Sequence, residues 1–168
     1  MIMDADTERQ KETKRAAAYQ FLKEHRAGVL ASASPDGKPH ASVVYYTSDE
    51  RFSIYFITLA SSRKYQALKA NPWGAFVVGT LDMPQTLQIE GPIVELREND
   101  DKGKHLSQLL ENLTSNAQYF APITKMDPAD MVVMWLEAKW IRWADYAQSE
   151  SGNEHVFTEL NADQSFVD

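Results

Sequence analysis

Phe56-Ile57-Thr58-Leu59-Ala60-Ser61-Ser62-Arg63-Lys64 is the stretch on which the reading of this chain turns. A run of β-branched and aromatic residues ends within it, and a helical pattern reaching to about Ala70 begins at its close. Arg63 and Lys64 thus fall in a first helical turn, where the macrodipole is positive and basic side chains are mildly disfavoured. That turn also offers backbone N–H groups without helical partners, with Ser61 or Ser62 as the cap. Hydroxyl, guanidinium and ammonium together suit a bound anion such as a phosphate. On this segment alone a second reading stays equally open: two solvated cations near a helix start.

Working outward, the flanks read as strands. Upstream, a helix is expected over 7–26, with Ala17, Ala18, Phe21 and Leu22 on a narrow apolar stripe. Gly28 ends it, and a strand over 29–33 meets Ser34-Pro35-Asp36-Gly37, whose Pro and Gly favour a tight turn into a strand over 39–46. Ser48-Asp49-Glu50-Arg51 turns the chain again into a strand over 52–58. Downstream, Asn71-Pro72 stops the helix, because the residue before proline avoids helical geometry. Strands are expected over 73–80 and 86–96, the latter bent at Gly91-Pro92. Asn99 or Asp100 would cap a helix carrying Leu106, Leu109, Leu110 and Leu113; a loop with Pro122 and Pro128 then leads to one long final strand over 131–146. The pattern predicts a mainly β fold with flanking helices, its six strands forming an antiparallel barrel that removes sheet edges.

Composition sets the outer limits. The chain has 168 residues, 43% of them hydrophobic, enough for one domain with a sizeable core. No long apolar run or signal-type segment follows Met1, so a soluble, untargeted chain is expected. A net charge of −7 argues against nucleic acid or an anionic membrane as partner. The absence of cysteine excludes disulfides, thiolate metal sites and cysteine nucleophiles, and agrees with a cytoplasmic setting. His25, His40, His105 and His155 have no metal-site spacing, so no metal is expected. Beyond Arg142 there is no Lys or Arg, only acidic charge. The chain is therefore divided into a domain over 1–147, N-terminal helix included, and an acidic tail over 148–168, with 148–153 expected to be mobile.

In order and spacing, Thr58 followed by Ser62-Arg63-Lys64, the Pro35-Asp36-Gly37-Lys38-Pro39 hairpin, Leu68-Lys69-Ala70-Asn71-Pro72 and Gln88-Ile89-Glu90-Gly91 resemble the pyridoxamine 5′-phosphate oxidase-like family of FMN-binding split barrels, including its general stress protein branch. The resemblance covers about 21–146. It implies a six-stranded split barrel whose Ser62, Arg63 and Lys64 grip the FMN phosphate. Ser42, Val43 and Val44 would line the isoalloxazine edge, largely through backbone groups, and Ile57 and Thr58 would lie beside the ribityl chain. Thr86 or Gln88 would approach from the other subunit of a homodimer with the cofactor at its interface. The implied activity is that of an oxidoreductase acting on a small substrate, with a reduced nicotinamide as a candidate electron donor. For Thr86 and Gln88 the exposed polar face of an alternating strand is the competing reading.

Two departures from the family pattern bear on activity. Ser42 stands where the oxidase has a phosphate-reaching Arg. The oxidase's C-terminal Arg-x-His has no counterpart in Trp140-Ile141-Arg142-Trp143-Ala144. Oxidation of pyridoxine 5′-phosphate is therefore not expected. Alternatives are a deazaflavin-dependent reductase, a flavin- or haem-binding stress protein without turnover and, last, a bare interaction barrel. No residue stands out as a general acid or base. Trp135, Trp140 and Trp143 read as core or interface packing, with Trp135 and Trp143 on one face at period two. Arg142 is either a phosphate or substrate contact or a surface cation. His40 and His155 are weighed as haem ligands against ordinary solvated histidines. Tyr119-Phe120 would either reach over a cofactor or anchor a loop.

Overall fold

A computed structural model describes residues 5–79, 82, 84–97, 102–114, 125–148 and 156–160. Thr80, Asn99, Asp100, Tyr119, Phe120, Pro122, residues 149–153 and His155, on which parts of the sequence reading fall, lie outside them. The elements run α1 Ala5–Glu24, β1 Ala27–Ala33, β2 Pro39–Ser48, β3 Ile54–Leu59, α2 Arg63–Ala70, β4 Trp73–Val78, β5 Gln85–Glu95, α3 Lys102–Thr114, β6 Met131–Leu136, β7 Trp140–Asp145 and β8 Phe157–Glu159. A 3-10 turn at Pro128–Asp130 precedes β6.

All strand pairings are antiparallel, and six strands close a barrel in the order β1-β2-β3-β6-β5-β4. Alternation along each strand turns Leu30, Val44, Tyr46, Ile54, Phe56, Phe76, Leu87 and Ile89 inward, where they form one core cluster. Removing such side chains from water supplies the main driving force for closure. The helix α1 caps the barrel by its buried Ala18, Phe21 and Leu22, which join the same cluster. Phe52, fully buried with a φ of +64° in the β2–β3 turn, meets Tyr19 of that helix edge-on at 5.8 Å. No helix among the described residues is long and apolar enough to cross a membrane.

The expected last strand over 131–146 is two strands. β6 pairs with β3 and with the far end of β5 (Ile93–Glu95), whereas β7 pairs with the near end (Gln85–Glu90). The chain crosses at Gly91, where a Cβ would stand 1.8 Å from the Glu137 carbonyl oxygen, so only glycine permits the approach. Glu137 N–H and Lys139 N–H donate to the carbonyls of Pro92 and Glu90 at 3.0 and 2.8 Å, fixing the break. It also separates the tryptophans. Trp143 is buried inside the barrel, 5.2 Å from Phe21, while Trp135 pairs with outward-facing Tyr55, so the two do not share a face.

Residues 156–160, within the segment read as acidic tail, return to the barrel. β8 pairs with β7, Lys14 Nζ of α1 donates to Thr158 Oγ1 at 3.1 Å, and Leu160 is fully buried in the main core cluster. The Arg142 guanidinium lies 3.9 Å over the Phe157 ring.

Candidate functional site

The turn from β3 into α2 is built from local hydrogen bonds. Ser62 is the cap of α2, its hydroxyl oxygen accepting from Tyr65 N–H at 3.1 Å. The same oxygen lies 3.0 Å from the hydroxyl of Thr58, which is 4% exposed at the end of β3. Ser61 plays a different part: its N–H donates to Asp130 Oδ1 at 3.2 Å and its hydroxyl to Asp130 Oδ2. Ala60 N–H donates to the Asp130 carbonyl at 2.8 Å, so the segment before β6 holds the turn in place. On the other side, Tyr65 OH donates to Glu95 Oε2 at 2.7 Å and ties α2 to β5.

The first turn of α2 contains no acidic residue, and among the described residues neither Arg63 nor Lys64 forms a salt bridge. Arg63 is exposed. Lys64 is half-buried, and loss of solvent holds its ammonium below the usual lysine range. A partly desolvated cation with no carboxylate partner among the described residues, at the positive end of a helix, is an arrangement an anion would stabilise.

Lys64 and Ser62 open into a cavity of about 220 Å³ beneath α3. Val43, Val44 and Tyr45 of β2, Ile57, Thr58 and Leu59 of β3, Leu109 of α3 and Met126 complete its wall. It is polar at the α2 end and apolar elsewhere, which suits a ligand with an anionic group at one end and a flat apolar body at the other. The cavity brings together Val43, Val44, Ile57, Thr58, Ser62 and Lys64 of the residues singled out from the sequence. Ser42, Arg63, Thr86 and Gln88 do not line it. Ser42 pairs with Leu30 on β1, and Gln88 lies between Val77 and Arg142 on the outer face of the sheet, with Thr86 two residues before it. His40, opposite Ser32, is also outside the wall.

Tyr45, Leu59, Leu109, Met126 and the turn-holding Asp130 were not singled out as site residues. Tyr45 and Leu59 adjoin ones that were, and Leu109 belongs to a leucine stripe whose facing surface a helical period does not identify. Met126 and Asp130 carry no local signal. A larger cavity of about 330 Å³ lies where the end of α1, β2 and α3 meet, among Lys23, Arg26 and Glu111, and none of the residues singled out lines it. Among the described residues no cluster of His, Cys, Asp or Glu is suited to a metal ion.

Against known proteins, the family model described as pyridoxamine 5′-phosphate oxidase matches residues 15–162. The pyridoxine/pyridoxamine 5′-phosphate oxidase of Acaryochloris marina is 32% identical over 86 residues, 51% of this chain and 39% of that enzyme. The chain thus matches less than half the length of such curated relatives. Among solved structures, a heme binding protein from Mycobacterium smegmatis superposes with a TM-score of 0.68 at 14% identity, covering 96% of this chain and 60% of that one. A pyridoxamine 5′-phosphate oxidase-related, FMN binding protein from Nostoc punctiforme gives 0.57 at 10% identity, covering 95% and 96%. At these identities the structural likeness speaks for the split-barrel fold alone.

Proposed function

This chain belongs to the pyridoxamine 5′-phosphate oxidase family, and on that premise we propose that it is an FMN-binding flavoprotein acting as an oxidoreductase on a small substrate other than pyridoxine 5′-phosphate. The observation that carries the reading is the half-buried Lys64, without a carboxylate partner among the described residues, at the polar end of a cavity whose remaining wall is largely apolar. These residues fit the cofactor. Lys64, the Ser62 hydroxyl and the free N–H groups of α2 would take the phosphate, with exposed Arg63 adding charge from outside. Thr58 and Ile57 would lie along the ribityl chain, and Val43 with its β2 neighbours would exclude water from one side of the ring. FMN when bound supplies the redox chemistry; the protein orients the ring and governs access to it.

The cavity is smaller than the roughly 300 Å³ at which cofactor pockets usually begin, which supports a site completed by a second copy. Val43 is 66% and Val29 42% exposed. They face outward as paired neighbours, with Val77 next in the same row, and Ala41, Ala31 and Ala75 form the adjacent row. An apolar patch beginning at the cavity mouth favours a homodimer in which Thr86 and Gln88 of one copy approach the ring held by the other. The test is uptake of FMN against riboflavin by flavin-free protein, followed by fluorescence quenching, with the oligomeric state measured by light scattering. Equal affinity for both flavins, or tight FMN binding by a monomer, would remove the phosphate clamp or the interface site respectively. The heme binding protein from Mycobacterium smegmatis favours a second reading, haem in the same barrel. A Soret band on reconstitution with haemin, with no flavin uptake, would select it.

A further inference from the structure

The two ends of the cavity are built by different parts of the chain. The anion end comes from one contiguous stretch, Thr58 to Lys64, whereas the apolar wall that β2 and β3 begin is completed by Leu109 on α3 and by Met126, both remote from it in sequence. We infer that Leu109, with Met126 beside it, determines which ring the cavity accepts. The inference rests on the flavin reading for the identity of the ring, and on the cavity itself for the existence of the wall.

Leu109 is 1% exposed and packs in a cluster with Tyr55, Leu96 and Val133 on the outside of the barrel. The helix that carries it is also held by His105, which lies flat on the ring of the same Tyr55, 3.7 Å between centroids and 9° between planes. Tyr55 is itself anchored, its OH donating to Asp49 Oδ2 at 2.9 Å. Leu109 is therefore a fixed wall, with His105 and Tyr55 as positioning residues behind it. Met126 is half-buried against Tyr45, Ile57 and Met131, and its unbranched thioether adapts to what it meets. In a cavity of about 220 Å³ a change of a few carbon atoms at the fixed wall alters which ring fits, while the anion end on α2 is left intact.

The full-length chain carrying Leu109→Trp or Leu109→Ala is compared with the wild type in three titrations. These use FMN, inorganic phosphate followed by thermal shift, and 8-anilinonaphthalene-1-sulfonate, an anionic dye with an apolar ring body. Leu109→Trp is expected to weaken both FMN and dye by about tenfold or more and to leave the phosphate-induced shift unchanged. Leu109→Ala should bind the dye more tightly than the wild type, and it carries the test if the tryptophan variant does not fold by circular dichroism. Dye binding that responds to Leu109 in a protein that never takes FMN supports the wall and removes the flavin. Folded variants that bind dye and FMN as the wild type does overturn the inference.

Discussion

Replacing Lys64 with Met should separate what this residue does for the ligand from what it costs the empty protein. In the flavin-free chain Lys64 is half-buried, has no salt-bridge partner among the described residues and sits in a helical turn with no acidic residue. Burial lowers its affinity for a proton, so the charged form is less favourable folded than unfolded. For a base so shifted, the destabilisation is fully present below its folded-state pKa. It is relieved as pH rises from there to the ordinary lysine value. Methionine keeps the length and apolar stem without the charge, so the variant should melt higher than wild type at neutral pH when flavin-free, and the gap should close in alkaline buffer. FMN affinity should move the opposite way. A charge-assisted hydrogen bond contributes about 1.5 to 3 kcal/mol, which corresponds to a loss of about 10- to 150-fold, whereas riboflavin, lacking the phosphate, should bind both proteins alike. Scanning fluorimetry of flavin-free protein across pH and flavin quenching titrations read the two arms. A variant that melts lower than wild type, or binds FMN as tightly, would refute the assignment of Lys64 as a desolvated cation awaiting an anion.

Three further outcomes are expected. Ser62→Ala removes the α2 cap and the contact with Thr58, and should cost about 0.5 to 2 kcal/mol, seen as a fall in melting temperature of a few degrees together with weaker FMN binding. Leu160→Ala should destabilise by about 2 to 5 kcal/mol in denaturant unfolding, since this side chain is fully buried in the barrel core; a change within error would mean that the last described segment does not dock. FMN-loaded protein should not produce pyridoxal 5′-phosphate aerobically at a rate resembling that of a dedicated oxidase. The C-terminal Arg-x-His is absent, Trp143 in that region is buried in the barrel core, and the Arg142 guanidinium lies over the Phe157 ring, so the pair that orients the substrate phosphate in the oxidase is missing.

The site divides into a part legible in the sequence and a part that was not, and sequence distance explains the division. Thr58, Ser62 and Lys64 lie within seven consecutive positions, and their meeting needs only a strand end, a serine cap and one helical turn. Arg63, their immediate neighbour, is exposed because one residue is about 100° of helix, and no local rule says which of two adjacent cations the barrel will cover. Leu109 reaches the cavity only because α3 is laid across β2 and β3 by the His105–Tyr55 stack and the Leu109–Tyr55 packing, contacts between residues about fifty positions apart, and Met126 comes from a segment still further along the chain. Asp130 holds the Ser61 turn from 69 residues away.

By itself, then, the sequence determined the elements that local chemistry dictates. Pro35-Asp36-Gly37 turns a hairpin, Asn71-Pro72 stops a helix, and apolar alternation such as Leu87, Ile89 and Ile93 in β5 places one face of a strand in the core. It also determined the family pattern and the Thr58 to Lys64 end of the cavity. The tertiary structure decided where a continuous apolar pattern must break. Nothing in Glu137-Ala138-Lys139 is a strand breaker, yet the run from Met131 to Asp145 divides there because one strand cannot pair with both ends of a bent β5. The break is steric, imposed where the Glu137 carbonyl crosses Gly91. Tertiary structure likewise decided that Phe157–Glu159, in the stretch read as an acidic tail, becomes a strand, because the edge of β7 offers its backbone partners and Leu160 docks in the core.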